Sequence, residues 1–356
     1  MKLEDLVKTL EQEKLRKFDY LIDSRELMAI PEIGEHHAIG FRDEDKFREI
    51  SGTSRFNLMR GAHRQFAQKL DIPEKYYDRL LLHPDAWAFN VNWWFEKEPK
   101  RLFVRTFQDH GDTYGIIRAV LSERYRVIDH MDVVLSALEE LRKFSGIQIE
   151  SCDLTEERMY LRVSHPGVHA EVRPGDEIRA GLILSNSETG MGSLYVKPRL
   201  LRLICKNGMV TDLGVEQIHL GKKLSEEFLY SDETQRLENE LIFRKVKDMV
   251  TSIFSPETFR KLVSQLQEAT AVAIMEPEKA IKNIVARYSL TETHKEEILK
   301  SFIDEGDSSK YGLIQAVTYI AHSEEDPQES TRIEAIGGDI LEMNQENFRE
   351  LVSVPQ

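Results

Sequence analysis

The chain has 356 residues, of which 41% are aliphatic or aromatic and 31% charged, with a net charge of −14. That composition supports a globular protein and excludes wholesale disorder, and no apolar run approaches the ~20 residues that a membrane-spanning helix needs. Two cysteines, Cys152 and Cys205, exclude a disulfide framework or a multi-cysteine zinc site, and the charged start Met1-Lys2-Leu3-Glu4-Asp5 lacks an apolar signal core, so a soluble, cytoplasmic protein is expected.

In chain order, the first thirty residues look helical and amphipathic, then irregular toward Pro31 and Gly34. Leu58, Ala62, Phe66 and Leu70, spaced by four, predict a helix over 53–70, and Pro73 opens another. Alternation predicts a strand over 86–95. Residues 101–107 and 113–121 read as two strands joined by a hairpin turn at 108–112. Asp129 is placed to cap a helix carrying Val134, Leu138 and Leu141, which ends at Gly146, where a left-handed residue is wanted. Strands are expected at 147–153, 158–164 and 177–185, because Met159, Leu161 and Val163 share one face, as do Ile178, Ala180, Leu182 and Leu184.

Beyond residue 224 the alternation fades and helical periodicity takes over. Pro256, Pro277 and the cluster Thr291-Glu292-Thr293 mark helix starts, with four to six helices expected as far as Ala321. Residues 323–330 read as a surface loop, and Gly337-Gly338 as a break. The fold class expected is α+β: an antiparallel sheet of four or five strands with packed helices in a core domain at 1–223, then an all-helical region at 224–356.

The charge follows the same division. Residues 1–115 carry 19 basic and 21 acidic residues, 116–223 carry 15 of each, and 224–356 carry 14 and 26. The acidity therefore belongs to the last third. Within the neutral middle, residues 190–223 hold six basic residues against two acidic ones.

Two segments stand out chemically. Ser185, Asn186, Ser187, Glu188, Thr189 and Gly190 form a loop of small polar residues after a buried-looking strand. Such a loop can expose backbone amides to a phosphate or serve as a tight connection. Arg118, Arg124, Tyr125, Arg126, Tyr160, Lys197, Arg199, Arg202 and Lys206 supply cations for phosphates and rings for stacking, the composition of a single-strand-binding groove; the alternative is the solvated face of a half-buried sheet. Asp129 and Glu188 are the carboxylates that a metal-dependent nuclease would need. His165 and His169 are separated by Pro166-Gly167, His36-His37 lacks a spaced partner, and no metal or cofactor is expected. Trp87, Trp93 and Trp94, with Tyr76 and Tyr77, read as packing residues.

The blocks Arg118-Ala119-Val120-Leu121-Ser122 and Arg124-Tyr125-Arg126-Val127-Ile128-Asp129 resemble a bacterial family associated with phages and plasmids, catalogued as domain of unknown function 932. So do the loop at 185–190, Cys205-Lys206-Asn207-Gly208-Met209-Val210, and Tyr311-Gly312-Leu313-Ile314-Gln315-Ala316-Val317-Thr318 with Ala321-His322. The resemblance spans residues 50–340 and implies a mobile-element setting, with no catalytic residue to carry over. The order of helix, meander and further helix is also similar to the core of single-strand annealing proteins, an analogy of element order alone. The expected function is binding of nucleic acid, specifically single-stranded DNA, in replication or recombination of a mobile element. The alternatives are a metal-dependent enzyme on nucleic acid and an interaction protein that counters host defence. Expected partners are nucleic acid, a second copy of the chain, or a host or phage protein held by the acidic region.

Overall fold

The computed structural model describes residues 1–31, 37–43, 53–109, 113–205, 207–212 and 232–352. Helix α1 (Leu3–Arg16) buries Leu6 and Leu10. The chain then enters β1 (Lys17–Asp23) and β2 (Leu27–Ile30), where irregular chain was expected. β3 (Ala38–Phe41), β4 (Arg55–Leu58), β5 (Arg101–Phe107) and β6 (Gly115–Ser122) complete a six-stranded sheet in the order β1-β5-β6-β4-β3-β2. All neighbours are antiparallel except β4 beside β6.

Helices α2 (Arg60–Lys69), α3 (Glu74–Leu80) and α4 (Pro84–Lys97) share a core with this sheet, in which Phe66, Tyr77, Trp87, Val91 and Phe95 meet Phe56, Val104 and Ile117. The strand expected over 86–95 is therefore α4. Trp87, Val91 and Phe95 recur every four residues on its buried face, and Pro84 at its first position starts the helix. The helix expected over 53–70 begins only at Arg60, because residues 55–58 pair with β3 and β6.

The central region follows its alternation. After α5 (His130–Leu141), Gly146 takes a φ of +80°, as its position required. β7 (Gln148–Leu154), β8 (Met159–Arg173), β9 (Asp176–Asn186), β10 (Tyr195–Arg202) and β11 (Gly208–Val210) form an antiparallel sheet in the order β11-β10-β9-β8-β7. Met159, Leu161, Val163, Leu182 and Leu184 fill its inner face.

The helices that follow are α6 (Asp232–Ile253), α7 (Pro256–Thr270), α8 (Pro277–Arg287), α9 (Glu292–Glu305), α10 (Lys310–Tyr319), α11 (Pro327–Glu342) and α12 (Gln345–Val352). Pro256 and Pro277 sit at first helical positions, and Thr291 caps α9. Val246, Leu266, Ile284, Ile314 and Ile340 of these helices share one apolar core with the inner face of the five-stranded sheet, α1 and α5. The composition boundary at 223/224 lies outside the described residues. The fold is α+β, with one sheet of mixed direction, one antiparallel sheet, and helices through the C-terminal region. Among the described residues, no helix is long and apolar enough to cross a membrane. Cys152 and Cys205 are free thiols.

Residues 323–330 are not wholly loop, since Asp326 caps α11 and Pro327 opens it. Gly337 and Gly338 do not break this helix but lie buried within it. A Cβ at Gly338 would collide with the Val210 carbonyl of β11, and one at Gly337 with the Thr318 methyl, so the glycines exist for close approach. Gly338→Ala should therefore destabilise the protein by about 1–3 kcal/mol despite alanine's better helix propensity. The midpoint of chemical denaturation checks this, and an unchanged or raised midpoint would contradict it.

Candidate functional site

The loop at 185–190 folds inward. Glu188 is 1% exposed, and its carboxylate accepts from Lys17 Nζ, Arg118 Nη2 and the His130 amide, each at 2.7 Å. The first belongs to β1, the second to β6 and the third to the first residue of α5. Asp129 precedes α5 as its N-cap but makes no side-chain cap bond; its Oδ1 accepts from Arg105 at 2.9 Å. Glu188 supplies the missing acceptor from a distant segment. Arg105, 1% exposed, also pairs with Asp19 and donates to the Glu188 carbonyl at 3.0 Å. Three cations, Lys17, Arg105 and Arg118, thus meet three carboxylates, Asp19, Asp129 and Glu188.

Burial opposes the charge on Glu188, but the surrounding cations outweigh it and hold the carboxyl well below the usual carboxylate range. His130 behaves oppositely: burial pushes it down to about 4, so the ring is neutral, and its Nδ1 accepts from Asn186 Nδ2 at 3.1 Å. The rest of the loop is similarly engaged. Asn186 donates to the Ile128 carbonyl, Ser187 Oγ to the Glu157 carbonyl, Tyr125 Oη to the Ser187 carbonyl, and Gln65 Nε2 to the Thr189 carbonyl. Gly190 adopts a φ of +72°, and a Cβ there would strike Leu121. The Ser185 hydroxyl receives Arg158 Nε at 3.0 Å.

The other nominated residues do not line one open groove. Tyr160 and Arg162 lie on the outer face of β8, with Arg158 just before the strand, and all three are buried. Tyr160 lies between the guanidinium groups of Arg158 and Arg162, 5.9 and 5.8 Å from its ring centre. Arg199 forms a two-pronged pair with Glu334 of α11, at 2.9 and 2.6 Å, and is 6% exposed. Arg162 donates to Asp153 and to Thr331 of α11. Arg202 grips Asp176 and Glu305 at the far end of the sheet. Lys197 pairs with Asp212 at 2.8 Å, and Arg126 pairs with Glu238 of α6. Arg124 is exposed, and Lys206 lies outside the described residues. The face expected to be a groove or a solvated surface is therefore covered, because acidic helices of the C-terminal region pack on it.

Asp129 and Glu188 do converge, at 3.7 and 2.7 Å from Lys17 Nζ, but that ammonium takes the position between them. Among the described residues, no group of three or more His, Cys, Asp or Glu side chains is arranged to hold a metal ion. The cluster keeps a carboxylate ionised and ties three elements together. Sequence reading missed Lys17, Asp19, Arg105 and His130. Arg105 left the clearest signal, a cation amid the apolar residues of β5, whereas Lys17 follows a helix and left none.

These features define an α+β protein whose two sheets meet at a buried charge cluster. A family model described as Domain of unknown function (DUF932) matches residues 118–335, and the chain belongs to that family. The match includes both Arg118–Glu188 and Arg199–Glu334. Neither the search of curated proteins nor that of solved structures found a significant match.

The neutral His130 generates a pH prediction. Its folded pKa lies below the ordinary ~6.5, so the unfolded state binds the additional proton, and its contribution is full above pH 6.5 and lost as pH falls toward 4. Denaturation midpoints should drop across that window, and the drop should shrink in His130→Gln. An equal drop in the variant would show that other groups cause it.

Proposed function

We propose that the protein binds single-stranded nucleic acid, specifically DNA in the replication or recombination of a mobile element, on the layer formed by α2–α4. One observation carries this reading. Phe89 and Trp93, four residues apart on α4, stack in solvent with ring centres 6.1 Å apart, at 67% and 49% exposure. Lys97 Nζ lies 5.1 Å over the Trp93 ring. Exposed aromatic rings beside a cation form a platform for bases, which stack on any π-face while the cation meets the backbone phosphate.

The local charge agrees with this assignment. Residues 60–101 carry eight basic and six acidic residues within a chain of net charge −14. Tyr76, 48% exposed, adds a third ring to the same helical layer. The arginines of the central sheet do not take part, since internal carboxylates neutralise them.

A labelled oligothymidylate titrated by fluorescence anisotropy at low salt tests the reading. Binding should weaken as salt rises, and Trp93→Ala should weaken it at least fivefold, on the order of 1 kcal/mol for one lost stacking contact. Absence of low-salt binding would overturn the reading, as would a Trp93→Ala affinity equal to the parent's.

A further inference from the structure

We propose that the groove between the start of α8 and the end of α9 receives a basic amphipathic helix of a partner protein. This inference concerns a different face from the Phe89–Trp93 platform and does not rest on it. The groove has a volume of about 540 Å³ and is lined by Pro277, Leu299, Phe302 and Ile303 together with Glu276, Glu278 and Lys279. Ile303 is 66% exposed, and Met275 and Val272, in the segment that runs into Glu276, are 88% and 40% exposed. Large apolar side chains grouped this way around a concave surface mark an interaction site more often than scattered surface hydrophobics do.

The groove is held in shape rather than left by fraying. The Ile274 amide donates to the Ser308 carbonyl at 2.8 Å and the Lys310 amide to the Val272 carbonyl at 2.7 Å, flanking a bridge between Ala273 and Ser309. This pins the segment carrying Met275 against the chain beyond α9. Gly306, at a φ of +67°, closes α9 with its amide on the Phe302 carbonyl. Ile274 turns inward between the outward Val272 and Met275 and is 4% exposed. A preformed groove loses little conformational freedom when it binds.

Charge complementarity selects the occupant. Among the described residues lining the groove, Lys279 is paired with Glu276, which leaves Glu278 as the carboxylate there without a lining cation to match it. Glu278 and Asp304 are exposed beside the apolar lining. An apolar stripe of a helix, with side chains at positions i, i+3, i+4 and i+7, fits such a groove, and lysines or arginines flanking that stripe would meet the acidic rim. An acidic helix would be repelled there.

The test uses the full chain and two synthetic amphipathic helices with leucines along one face and either lysines or glutamates along the other. The Leu/Lys helix should bind, and Ile303→Asp and Met275→Asp should each weaken it at least tenfold without altering the melting temperature, since both side chains are exposed. Glu278→Lys should weaken binding and reduce its salt dependence. The Leu/Glu helix should not bind. The proposal is overturned if the Leu/Lys helix fails to bind, if Ile303→Asp binds it as tightly as the parent, or if both helices bind equally. A concentration-dependent dimer that Ile303→Asp dissolves would equally overturn it, making the occupant a second copy of the chain.

Discussion

The carboxylate of Glu188 is where the two sheets of this protein are joined. Its three donors come from β1, β6 and the first turn of α5, so one buried charge fixes the relative position of elements from three parts of the chain. An ion so removed from water is tolerated only when its lone pairs are filled, and here they are filled by two cations and a helix amide. Removing any one partner would leave the others charged in a dry place. The small residues around Glu188 follow from that constraint. Serine, threonine and glycine let the loop turn inward and place its carbonyls against Arg105, Tyr125 and Gln65.

The same logic repeats on the outer face of the five-stranded sheet. Arg162, Arg199 and Arg202 would be costly to bury alone, and Asp153, Glu334, Asp176 and Glu305 neutralise them. The acidity of the last third therefore has a structural use: part of it is matched to cations of the sheet. Glu278, which lines the groove between α8 and α9, belongs to the remainder. A net charge of −14 thus coexists with a neutral middle third, a locally basic stretch at 190–223 and a weakly basic layer at α2–α4.

Legibility in the sequence depended on whether a pattern was local. β8 and β9 were readable because their inner positions alternate strictly, and the helices at 256, 277 and 291 because proline or threonine opens them. The four-residue strands β2, β3 and β4 are too short to show a period. In α4, asparagine and tryptophan between apolar residues imitate alternation, although the burial repeats every four residues. The arginines posed a deeper difficulty. A strand face bearing Tyr160 and Arg162 has the same sequence whether it meets phosphate, water or a helix. What decides is Glu334, 135 residues from Arg199, and such separations leave no local trace. Glu188 stands in a loop of unusual composition, but its partner Lys17 lies 171 residues away.

The Arg118–Glu188 pair couples the sheets, rather than being two side chains that merely lie close. A double-mutant cycle of Arg118→Met and Glu188→Gln, read by chemical denaturation, measures that coupling directly. Each single variant should be strongly destabilised and the double variant should recover part of the loss, with a coupling energy of about 2–3 kcal/mol. Additivity of the two losses to within about 0.5 kcal/mol would contradict it.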